Sequence, residues 1–253
     1  MTDPSRVAAI TGAAQGIGRR TAEVLAAEGY LLALLDRSPI ADVDALCRVG
    51  DVADADDVAA FAAATRDAYG RVDVLVNNAG IASIGPAEEM SAARWREVID
   101  VNLTGPFLLS QAFGRQMLAQ GRGSIVNIAS VAGLRGIADR AAYNASKHGL
   151  IGLTRTLGVE WGGRGVRVNA VCPGWVKTGM DVESQSSGAY GDDDITEHVP
   201  SGRFASPDDI AQAVAYLADD RRSGFVNATT LSVDGGWAAD GSWPALRLAT
   251  RSR

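Results

Sequence analysis

Tyr143 and Lys147 stand four positions apart in an apolar, small-residue stretch whose pattern predicts a helix over 141–161. On a helix, positions i and i+4 share a face. A phenol is a poor base at neutral pH, with a reference pKa of about 10, and an ammonium fixed beside it favours the phenolate. The pair is suited to passing a proton. The same spacing also describes a half-buried Tyr beside a Lys that lays its stem along the helix, so the elements around the pair have to separate the two readings.

Three further stretches have types and spacing that could hold a ligand. A short apolar run at 7–10 ends in Thr11-Gly12, followed by Ala13-Ala14-Gln15-Gly16-Ile17-Gly18 and a helix pattern over 19–28. Strand, glycine turn and helix make a phosphate-binding device, because glycines let backbone approach a pyrophosphate and a helix N-terminus offers free N–H groups. The alternative is only a tight turn. A second apolar run at 31–35 ends in Asp36, a carboxylate placed to accept from ribose hydroxyls and to repel a 2′-phosphate, although Arg37 follows it. A third run at 74–76 leads into Asn77-Asn78-Ala79-Gly80, two amides and a glycine where open α/β sheets bind ligands.

The elements that must position these residues alternate along the chain. Strands are expected at 7–10, 31–35, 47–50, 74–76, 124–128, 166–171 and 228–233, with helices over 55–69, from Ser91 onward with an irregular middle at 102–106, over 141–161, and from Ser206-Pro207 to about Leu217. The fold class that follows is α/β: a Rossmann-type, doubly wound, seven-stranded parallel sheet with helices on both faces, in one domain over 1–253. Only 14 residues separate Asp36 from Asp51, so the crossover at 38–46 has room for little more than one helical turn. The acidic stretch 178–201, without Lys or Arg, reads as an irregular lid after the sixth strand, and 237–253 as a tail whose Trp243 and Leu246 lack a partner element.

Composition narrows the function. At 253 residues and 47% hydrophobic, the chain can bury one large core. A net charge of −6 without a Lys/Arg cluster argues against nucleic acid or an anionic membrane as partner. Cys47 and Cys172 form no disulfide framework, and His148 and His198 have no metal-ligand spacing. Neither a leader pattern nor an 18-residue apolar run is visible, which points to a cytoplasmic protein. Trp175 and Met180 suggest a partly apolar substrate pocket; Arg135 and Arg140 are either anion contacts or, more simply, surface residues.

In this order and spacing, Thr11-Gly12-x-x-x-Gly16-Ile17-Gly18, Asn77-Asn78-Ala79-Gly80, Asn102, Ser130, Tyr143-x-x-x-Lys147 and Pro173-Gly174-x-Val176-x-Thr178 resemble the short-chain dehydrogenase/reductase family over nearly the whole chain. The resemblance implies Tyr143 as catalytic acid/base, Lys147 lowering its pKa and holding the nicotinamide ribose, Ser130 bonding the substrate oxygen and Asn102 fixing a water beside Lys147. It implies cofactor contacts at Gly12, Gln15, Ile17, Gly18, Asp36, Asp51, Val52, Asn78, Gly80, Val176 and Thr178, with Gly16, Ala79, Pro173 and Gly174 in the same motifs. It also implies a homotetramer built on the helices at 104–119 and 141–161 and the last strand. The expected activity is NAD-dependent oxidation of a secondary alcohol, polyol or similar hydroxy compound. NADPH-dependent reduction of a ketone or 3-oxoacyl group, and a non-catalytic cofactor-binding protein, are the alternatives.

Overall fold

The computed structural model describes residues 6–177 and 191–242. Their seven strands are β1 (Val7–Thr11), β2 (Leu31–Asp36), β3 (Leu46–Val49), β4 (Val74–Asn77), β5 (Gly123–Ile128), β6 (Val166–Pro173) and β7 (Thr230–Val233). They form one sheet in the order β3-β2-β1-β4-β5-β6-β7, and every neighbouring pair is parallel. The chain runs outward from β1 to β3 and returns to the other side of β1. Between β1 and β4 the connections therefore part, and a crevice opens at the carboxyl ends of these strands.

The central strands are continuous apolar runs because both their faces are covered. Successive side chains alternate between two cores. Ala8, Ile10, Leu32, Leu34, Val74 and Val76 meet helices α1 (Gly16–Ala27) and α7 (Pro207–Ala218) on one face. Ala9, Ala33, Leu35, Leu75 and Ile125 meet α2 (Ala55–Tyr69), α4 (Gly105–Gln120) and α5 (Ala141–Gly162) on the other, through Phe61, Phe113, Met117 and Leu157. Phe61 and Phe113 stack edge to face with centroids 5.4 Å apart, a favoured geometry for aromatic quadrupoles.

Several local expectations are corrected. The crossover between β2 and β3 contains no helical turn; it is a series of bends with Asp42 at a φ of 55°. Arg19 of α1 clasps it instead, donating to the Ala41 carbonyl at 2.7 Å and the Asp42 carbonyl at 3.2 Å. α1 starts at Gly16, three residues earlier than the apolar pattern showed, and β7 starts only at Thr230 because Ala228 takes a left-handed φ of 55°. The irregular middle of the long helical region is a π turn, Asp100–Thr104, between α3 (Ala92–Ile99) and α4. Pro106 follows it without an N–H to donate, and the wider turn absorbs that defect.

Within the expected lid, 178–190 and its Thr178, Met180, Gly179 and Gly188 lie outside the described residues. The part that follows is ordered as α6 (Asp192–His198). Its three aspartates stand in the first turn, where negative charge suits the helix dipole, and Asp194 Oδ2 accepts from Gly191 N–H at 2.8 Å. Ile195 and Val199 bury it. The acidic run is thus a helix start, which periodicity alone did not reveal. Of the tail, 237–242 is described, with Trp237 6.2 Å from His198 between ring centroids; Trp243 and Leu246 are outside.

Candidate active site

The crevice between β1 and β4 opens into a cleft of about 1230 Å³ that runs from the glycine turn to α5. Its first wall is the β1–α1 turn. Gly12 and Gly16 hold φ values of +65° and +57°, which side-chain-bearing residues rarely adopt. A Cβ on Gly18 would lie 2.1 Å from the Gly12 carbonyl oxygen, so the helix can approach the turn this closely only with glycine there. The turn is tied to β4. Thr11 Oγ1 accepts from the N–H groups of Asn78 and Ala79, both at 3.1 Å, and Asn78 Nδ2 donates to the carbonyls of Thr11 at 2.9 Å and Gly12 at 3.0 Å.

The same wall fits a dinucleotide pyrophosphate. Gln15 gives α1 no side-chain cap and no acidic residue stands in its first turn, so the helix start offers N–H groups and a positive dipole end to an anion. Gly12, Gln15, Gly16 and Ile17 line the cleft at this point. Asp36 follows at the end of β2, its carboxylate accepting from Ala14 N–H and Ser38 N–H, each at 2.9 Å. A carboxylate has about four acceptor positions, so two remain for ribose hydroxyls. Arg37 reaches Asp51 Oδ2 at 3.8 Å, and both line the cleft with Val52 beside them.

The other end of the cleft carries hydroxyl and amine groups. Ser130 ends the strand–loop step after β5 and caps a short 3₁₀ turn by accepting from Ala132 N–H at 3.1 Å. Its side chain hydrogen-bonds the Tyr143 phenol. Lys147 is 4% exposed; its Nζ donates to the Ile128 carbonyl at 2.8 Å and lies 5.6 Å from the Tyr143 ring centroid. Asn102, on the π turn, accepts from Ile81 N–H and donates to the Ile81 carbonyl, both at 2.9 Å, and donates to Ser146 Oγ at 3.2 Å. A Cβ on Gly80 would sit 3.2 Å from Asn102 Oδ1 and 3.6 Å from Lys147 Nζ, which shows how tightly these three meet.

Burial sets the titration of this cluster. It pushes the Tyr143 phenol up, against the pull of the Ser130 hydrogen bond and the positive charge of Arg140. Lys147 Nζ lies 5.6 Å from the Tyr143 ring centroid, and burial brings its own ammonium down to about 8. Cys172, expected as a core residue, is fully buried, and burial raises its thiol to about 11.

A lysine whose folded value lies below its unfolded one of 10.5 disfavours folding while both states hold the proton. That penalty fades as pH climbs from about 8 towards 10.5, where the folded state has released its proton and the unfolded state has not. The wild type should therefore gain stability relative to Lys147→Met across this window, by up to about 3 kcal/mol at ~1.4 kcal/mol per unit. Urea melts at both ends of the window measure it. A difference that stays flat would rule out burial as the control on Lys147.

Most of the residues marked in the sequence meet in this one cleft. Asn78, Ala79 and Gly80 continue its floor, and Pro173, Gly174 and Val176 close the side beyond β6. Gly18 and Asn102 are not on its surface; they act from behind, one by letting α1 approach, the other by holding Ile81 and Ser146. Thr178 is outside the described residues. The joint that Thr11 makes with Asn78 and Ala79 was not expected; the only signal for it is a hydroxyl placed directly before the first glycine. Arg135 is on the surface, donating to the Ala238 carbonyl, whereas Arg140, also read as a surface residue, is buried against Trp175.

A family model described as enoyl-(acyl carrier protein) reductase matches residues 12–238. D-threitol dehydrogenase of Mycolicibacterium smegmatis is 41% identical over 243 residues, covering 92% of each chain. Levodione reductase of Leifsonia aquatica is 40% identical over 256 residues, covering 92% of this chain and 94% of its own. Among solved structures, a provisionally assigned NAD(P)-dependent gluconate 5-dehydrogenase from Beutenbergia cavernae, with NADP bound at low occupancy, superposes with a TM-score of 0.86 at 43% identity. That match covers 93% of this chain and 97% of that one. Cleft, fold and relatives agree that the chain belongs to the short-chain dehydrogenase/reductase family of NAD(P)-dependent oxidoreductases acting on hydroxyl or ketone groups.

Proposed function

We propose that the protein oxidises a secondary alcohol, polyol or similar hydroxy compound with NAD, using Tyr143 as the acid/base. The observation that carries this is the Ser130–Tyr143 hydroxyl pair facing the cleft, with Lys147 behind it. When bound along the cleft, the cofactor supplies the hydride acceptor. The chain's own residues do the rest. Ser130 orients the substrate hydroxyl, and Tyr143, reacting as its phenolate, takes the hydroxyl proton as the carbonyl forms. Lys147 holds its ammonium within the same pocket, anchored on the Ile128 carbonyl. Asn102 fixes the floor under Lys147 through Ile81 and Ser146. In the reverse direction Tyr143 returns the proton.

Preference for NAD rests on Asp36, whose carboxylate stands where a 2′-phosphate would bring a second negative charge, and on the pairing of Arg37 with Asp51. NADPH-dependent reduction of a ketone or 3-oxoacyl group is the second reading, favoured by the relative that holds NADP. Steady-state kinetics with the two cofactors side by side decide between them. A larger kcat/KM with NAD is expected, and a larger value with NADP would reject the role given to Asp36.

In the same reading the chain is one catalytic domain acting on small molecules in the cytoplasm. Among the described residues no helix is long and apolar enough to cross a membrane. Assembly as a homotetramer is supported by apolar side chains left outward on α4 and α5, Phe107 and Val159. Light scattering that returns a monomer would remove it.

A further inference from the structure

The reaction above places the carbinol carbon beside Ser130 and Tyr143 and leaves the rest of the substrate to the other walls of the cleft. One of these is the loop that follows β4, and it carries a hydroxyl. Ser83 is only 9% exposed, whereas Ile84 beside it is 45% exposed, so the chain turns the serine inward and the isoleucine out. Ser83 lines the same cleft as Ser130, Tyr143 and Lys147. Among the described residues its hydroxyl has no hydrogen-bond partner. Buried hydroxyls are nearly always hydrogen-bonded in folded proteins, and the cleft is the side from which a partner can reach this one.

The loop is fixed at three points around Ser83. Asn102 takes both backbone groups of Ile81, each at 2.9 Å. Arg94 of α3 donates to the Ala82 carbonyl. On the far side, Gly85 N–H donates to the Asp139 carbonyl at 2.8 Å, which joins this loop to the one ahead of α5. The serine is therefore held in place before any substrate arrives, and little of the ordering cost falls on binding. The two charges on this wall are spent on each other: Arg94 donates to the Glu97 carboxylate at 2.7 Å. A charged group on the substrate meets a balanced pair here, while a neutral hydroxyl meets an open partner.

A serine hydroxyl can donate one hydrogen bond and accept two, and so can the hydroxyl of an alcohol. Ser83 stands three residues after Gly80, so their Cα atoms are at most about 11 Å apart. A Cβ on Gly80 would sit 3.6 Å from Lys147 Nζ. Ser83 is thus within reach of a molecule of about four to six carbons whose reacting carbon sits at the Tyr143 end. We propose that Ser83 receives a second hydroxyl of the substrate, so that this protein prefers diols and polyols to simple secondary alcohols. The inference rests on the oxidoreductase reading and adds to it the class of substrate and the residue that selects it.

Pairs of alcohols that differ by one hydroxyl test it: 1,3-butanediol with 2-butanol, 1,4-pentanediol with 2-pentanol, and 1,5-hexanediol with 2-hexanol. In at least one pair the diol should exceed the simple alcohol in kcat/KM for ketone formation by about three- to tenfold, the worth of one neutral hydrogen bond. The same pair should show a similar ratio of affinities for the NADH-loaded protein, read from NADH fluorescence. Ser83→Ala should bring both ratios to about one, and Ser83→Thr, which keeps a hydroxyl, should retain part of each. Ratios cancel any change that a variant makes to Tyr143 or to overall folding, because both alcohols meet the same protein. Wild-type ratios near one in every pair, no measurable binding of any diol, or ratios untouched in Ser83→Ala would each overturn the proposal. Failure of the underlying reading looks different: no alcohol would reduce NAD or NADP, while the ratio of affinities would still report on Ser83.

Discussion

Tyr143→Phe should lower kcat by roughly 10²- to 10⁴-fold, the range for loss of a positioned acid/base, while the protein stays folded and still binds NADH. The ring is kept and only the hydroxyl is removed, so the packing of α5 on the sheet is unchanged. The hydroxyl that leaves is the one hydrogen-bonded to Ser130. Its deletion frees Ser130 for water or substrate, which limits any structural cost. Stopped-flow turnover together with NADH fluorescence separates the outcomes. Turnover close to the wild type would sink the assignment, and loss of both turnover and NADH binding would show that the hydroxyl serves the fold instead.

Gly18→Ala should damage both the fold and the cofactor end of the cleft. The new methyl would stand 2.1 Å from the Gly12 carbonyl oxygen and 2.5 Å from Asn78 Nδ2. Both are parts of the joint that holds the glycine turn to β4, and neither is the free end of a flexible side chain. Overpacking of this kind costs about 1–3 kcal/mol or more, equivalent to a melting point lower by roughly 2–12 °C in a domain of this size. The larger effect falls on the cofactor, because α1 must move away from the turn and its N–H groups lose their aim. Thermal melts and NADH titration should show both changes. A variant that melts and binds like the wild type would mean that Gly18 has room the geometry does not reveal.

Much of this arrangement was legible in the residues alone. The seven parallel strands could be read because runs such as Val7 to Ile10 and Leu31 to Leu35 are apolar without alternation, the mark of strands covered on both faces. Tyr143 and Lys147 could be placed on one helix face from their spacing. What could not be read depends on contacts between distant segments. Arg140 is buried next to Asp139, whose left-handed turn is tied to Gly85 far away in sequence. The helix at 192–198 is held by Ile195 and Val199 in an otherwise polar stretch, too few apolar positions to show a period. The direction of the Tyr143 shift was also hidden, since desolvation depends on what packs around the hydroxyl and not on which cation is nearest in sequence.

The hydrogen bonds between Thr11 and Asn78 close a loop of 67 positions. Closing such a loop costs entropy that no local contact offsets, and the all-parallel sheet provides no hairpin to shorten it. During synthesis, the glycine turn emerges early and has nothing to fix it until β4 and the residues after it have left the ribosome and docked. The phosphate-binding end of the cleft is thus a product of the assembled sheet. A nascent or truncated chain that ends before Asn78 carries the glycine motif in full and lacks the anchor that gives it shape.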